Sequence, residues 1–219
     1  MPTLLLRLAA PLQSWGSSSK FEIRTTEKMP TKSGVVGMLA AALGRRRDSD
    51  LTDLSGLKFG VRADREGEDI TDFHMARLVK DSSVKSSYVT YRHYLSDAVF
   101  LAGLSGDGEV LKILEAALQK PKFPLFLGRR SCPPTLPIVI GIRDLPLERA
   151  LREEPPLDGK QKIRLRVQIE TDDSGMGMLQ DVPVSFNPGR RVYGYRRLRE
   201  FFVEWKPEET EHDAMSELG

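Results

Sequence analysis

The apolar pattern of the first 130 residues switches between strand-like and helical periods in a fixed order, and that order constrains the fold more than any single motif. Thr3-Leu-Leu-Leu-Arg-Leu-Ala-Ala reads as a buried strand, stopped by Pro11. Phe21 to Thr26 alternates and reads as extended. A helix is expected from about Thr31. Pro30 precedes it, Thr31 or Ser33 can cap it, and Val35 to Leu43 is almost wholly apolar. Gly44 closes it, and Arg45, Arg46 and Arg47 complement the negative end of its dipole. Two strands follow, Leu57 to Ala63 and Ile70 to Ala76, separated by a charged turn containing Gly67. Strand-like patterning resumes at Tyr88 and runs to Leu104. Asp107 to Gln119 is an amphipathic helix with Val110, Leu111, Leu114 and Leu118 on one face. Phe123-Pro-Leu-Phe-Leu-Gly reads as the closing strand. Strand, helix, strand, strand, helix, strand is the ferredoxin-like or RRM-like order, so the fold class is α+β.

Three regions are expected. Residues 1–130 form the ferredoxin-like domain, with an extended hairpin or finger at about 77–95. Its tip lies near Asp81 to Ser87, where apolar residues are almost absent. Residues 131–206 form a small β-rich region, carried by the alternating strand Lys162 to Glu170, a short strand at Val182 to Phe186 and a long one at Val192 to Trp205. Residues 207–219 read as a frayed acidic tail, with five acids and no Lys or Arg. The net charge is only +2, so the body without that tail is more basic, which suits a polyanionic partner. Cys132 is the only cysteine, which excludes an intrachain disulfide and a paired-cysteine metal site. Arg7 interrupts the first apolar run, so no secretory leader is expected there. No stretch is long and apolar enough to span a bilayer. A cytoplasmic protein with no membrane partner and no cofactor is expected.

Four segments could carry function. Pro30-Thr-Lys-Ser-Gly34 joins a helix N-terminus to Lys32 and the hydroxyl of Ser33, a natural phosphate site. It reads more readily as an ordinary capped helix, and it is no P-loop. Leu127-Gly-Arg-Arg-Ser-Cys-Pro-Pro places Arg129 and Arg130 beside a glycine turn, where guanidinium groups can fork onto phosphates or base edges, or simply face solvent. Gly189 to Arg199 interleaves Arg191, Tyr193 and Arg196 with other arginines and aromatics, a pattern suited to unpaired bases and also to an exposed edge strand. The polar finger at Lys80 to Ser87 is either a contact element or simply mobile.

Enzyme chemistry has little to stand on. His74 and His93 could neighbour each other on paired strands near Tyr91 and Tyr94, and a histidine base suits metal-independent RNA cleavage. A strand histidine is more often a packed or surface residue. The acidic pairs lie in turns, and no G-x-S-x-G motif is present. A generic RRM protein is disfavoured because the aromatic-rich RRM signature is missing.

Taken together, residues 6–16 (Leu-Arg-Leu-Ala-Ala-Pro-Leu-Gln-Ser-Trp-Gly), Pro30 to Leu39, Tyr91 to Leu101, Phe126 to Pro134 and Asp181 to Phe186 resemble the CasD-type subunits of type I-E CRISPR Cascade, within the fifth numbered Cas family. The resemblance is spread over most of the chain. It implies an RRM-like fold with a β-rich C-terminal portion. It implies a non-catalytic subunit that binds the 5′ handle of a guide RNA and caps the filament of CasC-type backbone subunits, with a CasA-type large subunit docked nearby and target DNA engaged indirectly. Gln13, Trp15, Arg24, Lys32, Ser33, Arg129, Arg130 and Ser131 would line the handle pocket. Lys80 and Lys85 would belong to a thumb. Arg191, Tyr193 and Arg196 match less closely. Relatives in another subtype process the guide with a tyrosine, lysine and histidine set, so Tyr91, His93 and Tyr94 keep an endoribonuclease open as the alternative.

Overall fold

The computed structural model describes residues 1–16, 23–80, 83–158, 164–173 and 177–205. The side chains of Leu78, Lys80, Val84 and Lys85 lie outside the described set, as does the acidic tail. The elements in order are β1 (Thr3–Ala9), β2 (Leu12–Gln13), β3 (Ile23–Arg24), α1 (Lys32–Leu43), α2 (Thr52–Ser55), β4 (Lys58–Arg65), β5 (Glu68–Lys80), β6 (Ser83–Ser96), β7 (Val99–Ser105), α3 (Gly108–Gln119), β8 (Val139–Arg143), α4 (Leu147–Glu153), β9 (Arg164–Thr171), β10 (Gly177–Ser185) and β11 (Val192–Glu204). The architecture is mixed α/β, mostly antiparallel, with few helices.

One seven-stranded sheet runs β10-β11-β9-β4-β7-β1-β8. Alternation along β1 sends Leu4, Leu6 and Leu8 into the larger core, beneath α1 and α3. Leu5 points the other way, into a smaller core shared with Leu147 and Leu151 of α4. The bounds of α1 follow its expected signals. The Thr31 side chain accepts from the Gly34 N–H at 3.3 Å. At the other end Gly44 adopts φ 75°. Its N–H and that of Arg45 reach back to the Ala41 and Ala40 carbonyls at 3.0 and 2.8 Å, the two-bond C-terminal lock that needs a left-handed residue.

Phe123–Gly128 is not the closing strand. Pro121 and Pro124 remove ladder donors from this stretch. Its backbone instead caps α1, with Lys122 N–H donating to the Ala42 carbonyl at 3.0 Å and Phe123 N–H to the Ala41 carbonyl at 3.2 Å. The strand next to β1 is β8, so the sheet segment β8-β1-β7-β4 is completed only at Arg143. The C-terminal strands do not stand apart. β9 pairs with β4, and β11 and β10 extend the same sheet. Helix α4 lies in the proline-rich stretch where no helix is expected, yet Leu147, Ala150 and Leu151 bury one face of it.

The hairpin is an antiparallel ladder from the Glu68↔Ser96 pair to the Lys80↔Ser83 pair, with a register shift between Leu78 and Val79, and it starts earlier than the range 77–95 expected for it. It stands in a second sheet with β2 and β3; β3 runs parallel to β6 at Tyr91 and Arg92.

Candidate nucleic-acid interface

A groove of about 1350 Å³ opens between α1, the loop after β1, the 123–130 segment and the ends of β10 and β11. Seven arginines line it: Arg24, Arg45, Arg46, Arg47, Arg129, Arg130 and Arg191. Among the described residues, no Asp or Glu does. Between the arginines lie aromatic surfaces, notably Phe126, Phe186 and Tyr193. Single-signed charge against low-dielectric walls concentrates anions, and exposed rings offer stacking platforms. Arg45 is committed to the Asp53 carboxylate and to the Asp50 carbonyl. Arg46, Arg47, Arg130 and Arg191 are exposed, with no side-chain partner among the described residues.

The Arg129 loop is the most tightly built part. Gly128 has φ 88°, and a Cβ there would lie 1.7 Å from the Ser14 carbonyl oxygen, so only glycine lets the two backbones meet. Ser14 N–H donates to the Leu127 carbonyl, Leu127 N–H to Cys132, and Cys132 N–H to Arg129, which closes a tight turn. Arg129 Nη2 donates to the Arg24 carbonyl at 2.7 Å. Its guanidinium carbon sits 4.7 Å from the centre of the Tyr94 ring. The Tyr94 hydroxyl meets Ser131 Oγ at 3.4 Å. Burial of the phenol raises its pKa, but Ser131 and Arg129 outweigh this and hold it below its ordinary value. Burial pushes the neighbouring Cys132 thiol up.

The residues singled out from sequence divide into those at the groove and those that build it. Trp15, Arg24, Ser33, Arg129, Arg130, Arg191 and Tyr193 line it, and Ser131 adjoins it. Trp15 does so as a core residue. It is 1% exposed, its Nε1 donates to Gln13 Oε1 at 3.1 Å, and its ring fills the space a Cβ on Gly34 would need. Gln13 is fully buried and donates to the Leu8 and Ala98 carbonyls. Lys32 points away from the groove, and its Nζ is 2.8 Å from Glu170. The N-terminus of α1 already holds an anion of the chain's own. Asp181 accepts from Lys32 N–H at 2.7 Å and from Arg196 at 2.6 and 2.8 Å, so Arg196 is buried and paired. Arg46 and Arg47, which the sequence marks only as dipole partners, are groove residues, and so are Phe126 and Phe186.

The tyrosine and histidine cluster does not converge. His74 faces Thr90 across the ladder and His93 faces Thr71. Their odd offset puts them on opposite faces of the hairpin. Tyr94 is buried toward the core, while Tyr91 is exposed on the other face. Among the described residues, no helix is long and apolar enough to cross a membrane.

An open antiparallel sheet carrying an arginine groove free of acids among its described residues, with a hairpin beside it, defines the class: a scaffold whose charge suits a polyanion. Residues 3–199 match the family of CRISPR-associated proteins described as Cas_Cas5. The chain belongs to that family. It is 38% identical to the CRISPR system Cascade subunit CasD of Escherichia coli (strain K12) over 156 residues, 63% of this chain and 70% of the relative. A solved Cas protein superposes with a TM-score of 0.73 at 41% identity, covering 92% of this chain and 95% of that one. A chain of a CRISPR RNA-guided surveillance complex superposes at 0.81 with 36% identity, covering 92% and 90%.

Proposed function

We propose that the chain is the CasD-type subunit of a type I-E Cascade, acting in the cytoplasm without catalysis of its own. It grips the 5′ handle of the guide RNA in the arginine groove and caps the filament of backbone subunits. The observation that carries this is the convergence of seven arginines on one groove, with no carboxylate among the described residues of its walls. The likeness to a Cascade subunit and to a chain of an RNA-guided complex supports the assembly. The aromatic surfaces favour an unpaired strand, whose bases can stack, over a duplex. The strand order β8-β1-β7-β4, with α1 and α3 in the crossovers, supports a ferredoxin-like unit as the scaffold.

The β5–β6 hairpin is the thumb. Phe73 faces Tyr91 and Met75 faces Val89 on one side of its ladder, and all four are exposed. That apolar side suits pressing on the adjacent backbone subunit, with the large subunit nearby and target DNA reached only through the complex. Arg24, Arg46, Arg47, Arg129, Arg130, Ser33, Arg191 and Tyr193 are assigned to the RNA. Gln13, Lys32 and Arg196 are assigned to holding the groove walls.

The test is guide retention in a reconstituted complex over a salt series. Arg129→Ala with Arg130→Ala is expected to weaken retention and to flatten its salt dependence by about 0.7 in log–log slope for each phosphate no longer neutralised. Unchanged retention and slope would overturn the assignment of this groove.

A further inference from the structure

Arg129 differs from its neighbours in the groove. Arg46, Arg47, Arg130 and Arg191 are exposed, whereas Arg129 is half-buried and tied to two other segments. One tie is the Arg24 carbonyl on β3. The other is the face of Tyr94, on β6 at the root of the thumb. Tyr94 is 5% exposed and is itself held by Ser131 of the same turn as Arg129. A guanidinium 4.7 Å from a ring centroid lies within cation–π range, and partial desolvation strengthens that attraction. Arg129 Nη1 is shielded from solvent and has no partner among the described residues. A desolvated cation with an unmet donor is costly, and an anionic oxygen settling beside it in the groove offsets that cost.

We propose that Tyr94 is the positioning residue of the groove: stacked against Arg129, it fixes that guanidinium in advance for an RNA phosphate and ties the grip to the root of the thumb. This rests on the reading of the groove as an RNA site. Fixing the plane beforehand removes rotamer freedom that binding otherwise has to remove. Tyr94 contributes no charge to the RNA. Its ring also packs in the main core, but its effect on binding passes through Arg129, which separates it from a residue that merely supports the fold.

The experiment measures binding of the purified chain to a single-stranded repeat-derived RNA by fluorescence anisotropy, over a range of salt. Tyr94→Leu is expected to weaken binding about three- to tenfold, the cost of ordering one rotamer-rich side chain on binding, with the salt slope unchanged. Tyr94→Phe keeps the ring and is expected to bind within about twofold of the unmodified chain. Arg129→Ala is expected to lower the slope by about 0.7. In the Arg129→Ala background, Tyr94→Leu is expected to add nothing. Should Tyr94→Leu fail to fold, Arg129→Lys carries the test, since an ammonium keeps the charge but cannot lie flat on the ring while reaching the Arg24 carbonyl. It is expected to keep the slope and lose affinity. Equal losses from Tyr94→Leu with and without Arg129, or full affinity in Arg129→Lys, overturn the positioning role while leaving the groove an RNA site. An unmodified chain that does not bind this RNA removes both readings.

Discussion

Asp181 tests the claim that the C-terminal strands set the groove. Its carboxylate is fully buried, at 0% exposure, between the first helical N–H of α1 and the guanidinium of Arg196, itself 6% exposed. Arg196 also lies 5.1 Å from the centre of the Phe59 ring, in the main core. Asp181→Ala therefore strands a buried cation and opens a buried helix N–H. Breaking one side of a buried pair costs about 3–5 kcal/mol. An unmet N–H alone costs about 1–3 kcal/mol, and the two do not add because the groups share one partner. A loss of about 4 kcal/mol is a large part of the roughly 5–15 kcal/mol that holds a domain folded. Guanidinium chloride unfolding followed by fluorescence measures it, with Trp15 as a buried reporter of the α1 end. The midpoint is expected to fall sharply with little change in slope. Removing both charges with Asp181→Leu and Arg196→Met is expected to cost clearly less than Asp181→Ala, because no stranded ion remains. A single variant within about 1 kcal/mol of the unmodified chain, or a double variant as costly as the sum of the singles, refutes the reasoning.

Two further outcomes are expected. Gly128→Ala has no room beside the Ser14 carbonyl and sits at φ 88°, which alone costs about 1–3 kcal/mol for a non-glycine residue. The 127–132 turn should shift, carrying Arg129 and Arg130, so RNA affinity measured by anisotropy falls along with the melting temperature; an unchanged value for either counts against the groove geometry. Glu148 on α4 lies between Arg152 and Arg199; burial raises its pKa, but the two arginines outweigh this and hold it below its ordinary 4.5. A depressed folded pKa gives stability that is present above about pH 4.5 and lost as pH falls through the lowered value. Glu148→Gln should therefore flatten the acid limb of melting temperature against pH, and an unaltered limb excludes the contribution.

Local signals are legible wherever a segment's own residues decide its shape. Thr31 and Gly44 bracket α1, and Asp107 caps α3 by accepting from the Glu109 N–H at 2.9 Å. Phe123–Gly128 reads as the closing strand on sequence because it is an apolar run, and apolar character does not say whether a segment pairs or caps. Its prolines are the available warning. α4 is hidden by prolines at either side of it, although Leu147, Ala150 and Leu151 already have helical spacing. Lys32 shows the deeper limit. A lysine at a helix start suits a phosphate, but the carboxylate that takes it is Glu170, 138 residues along the chain. In sequence Trp15 is an aromatic in a polar loop; its burial depends on Gln13 turning inward to accept from the indole and on Gly34 leaving room. Arg46 and Arg47 are visible as charges, but only the fold turns their helix end toward Arg129.

In the proposed reading of the groove as an RNA site, its cations divide into tied and free ones. Arg45 and Arg129 are tied to the protein, one to Asp53 and the other to the Arg24 carbonyl and the Tyr94 ring. Arg45 is spent on the Asp53 carboxylate, whereas Arg129 is positioned before a ligand arrives and, in the proposed reading, sets where an RNA backbone lies. Arg46, Arg47, Arg130 and Arg191 are exposed, and in that reading they adapt to phosphates already placed. Loose cations dominate attraction at low salt and lose it as salt screens them, because each trades counterions for phosphate. Fixed cations share that salt dependence, but less ordering remains for them to undergo on binding. The proposal therefore assigns register on the strand to Arg129 and overall affinity to the free arginines. That division requires Arg129→Ala to blur where the RNA sits more than Arg47→Ala does, even where the two weaken binding equally. Footprinting of the bound strand distinguishes them, and identical footprints would reduce the groove to a patch of charge.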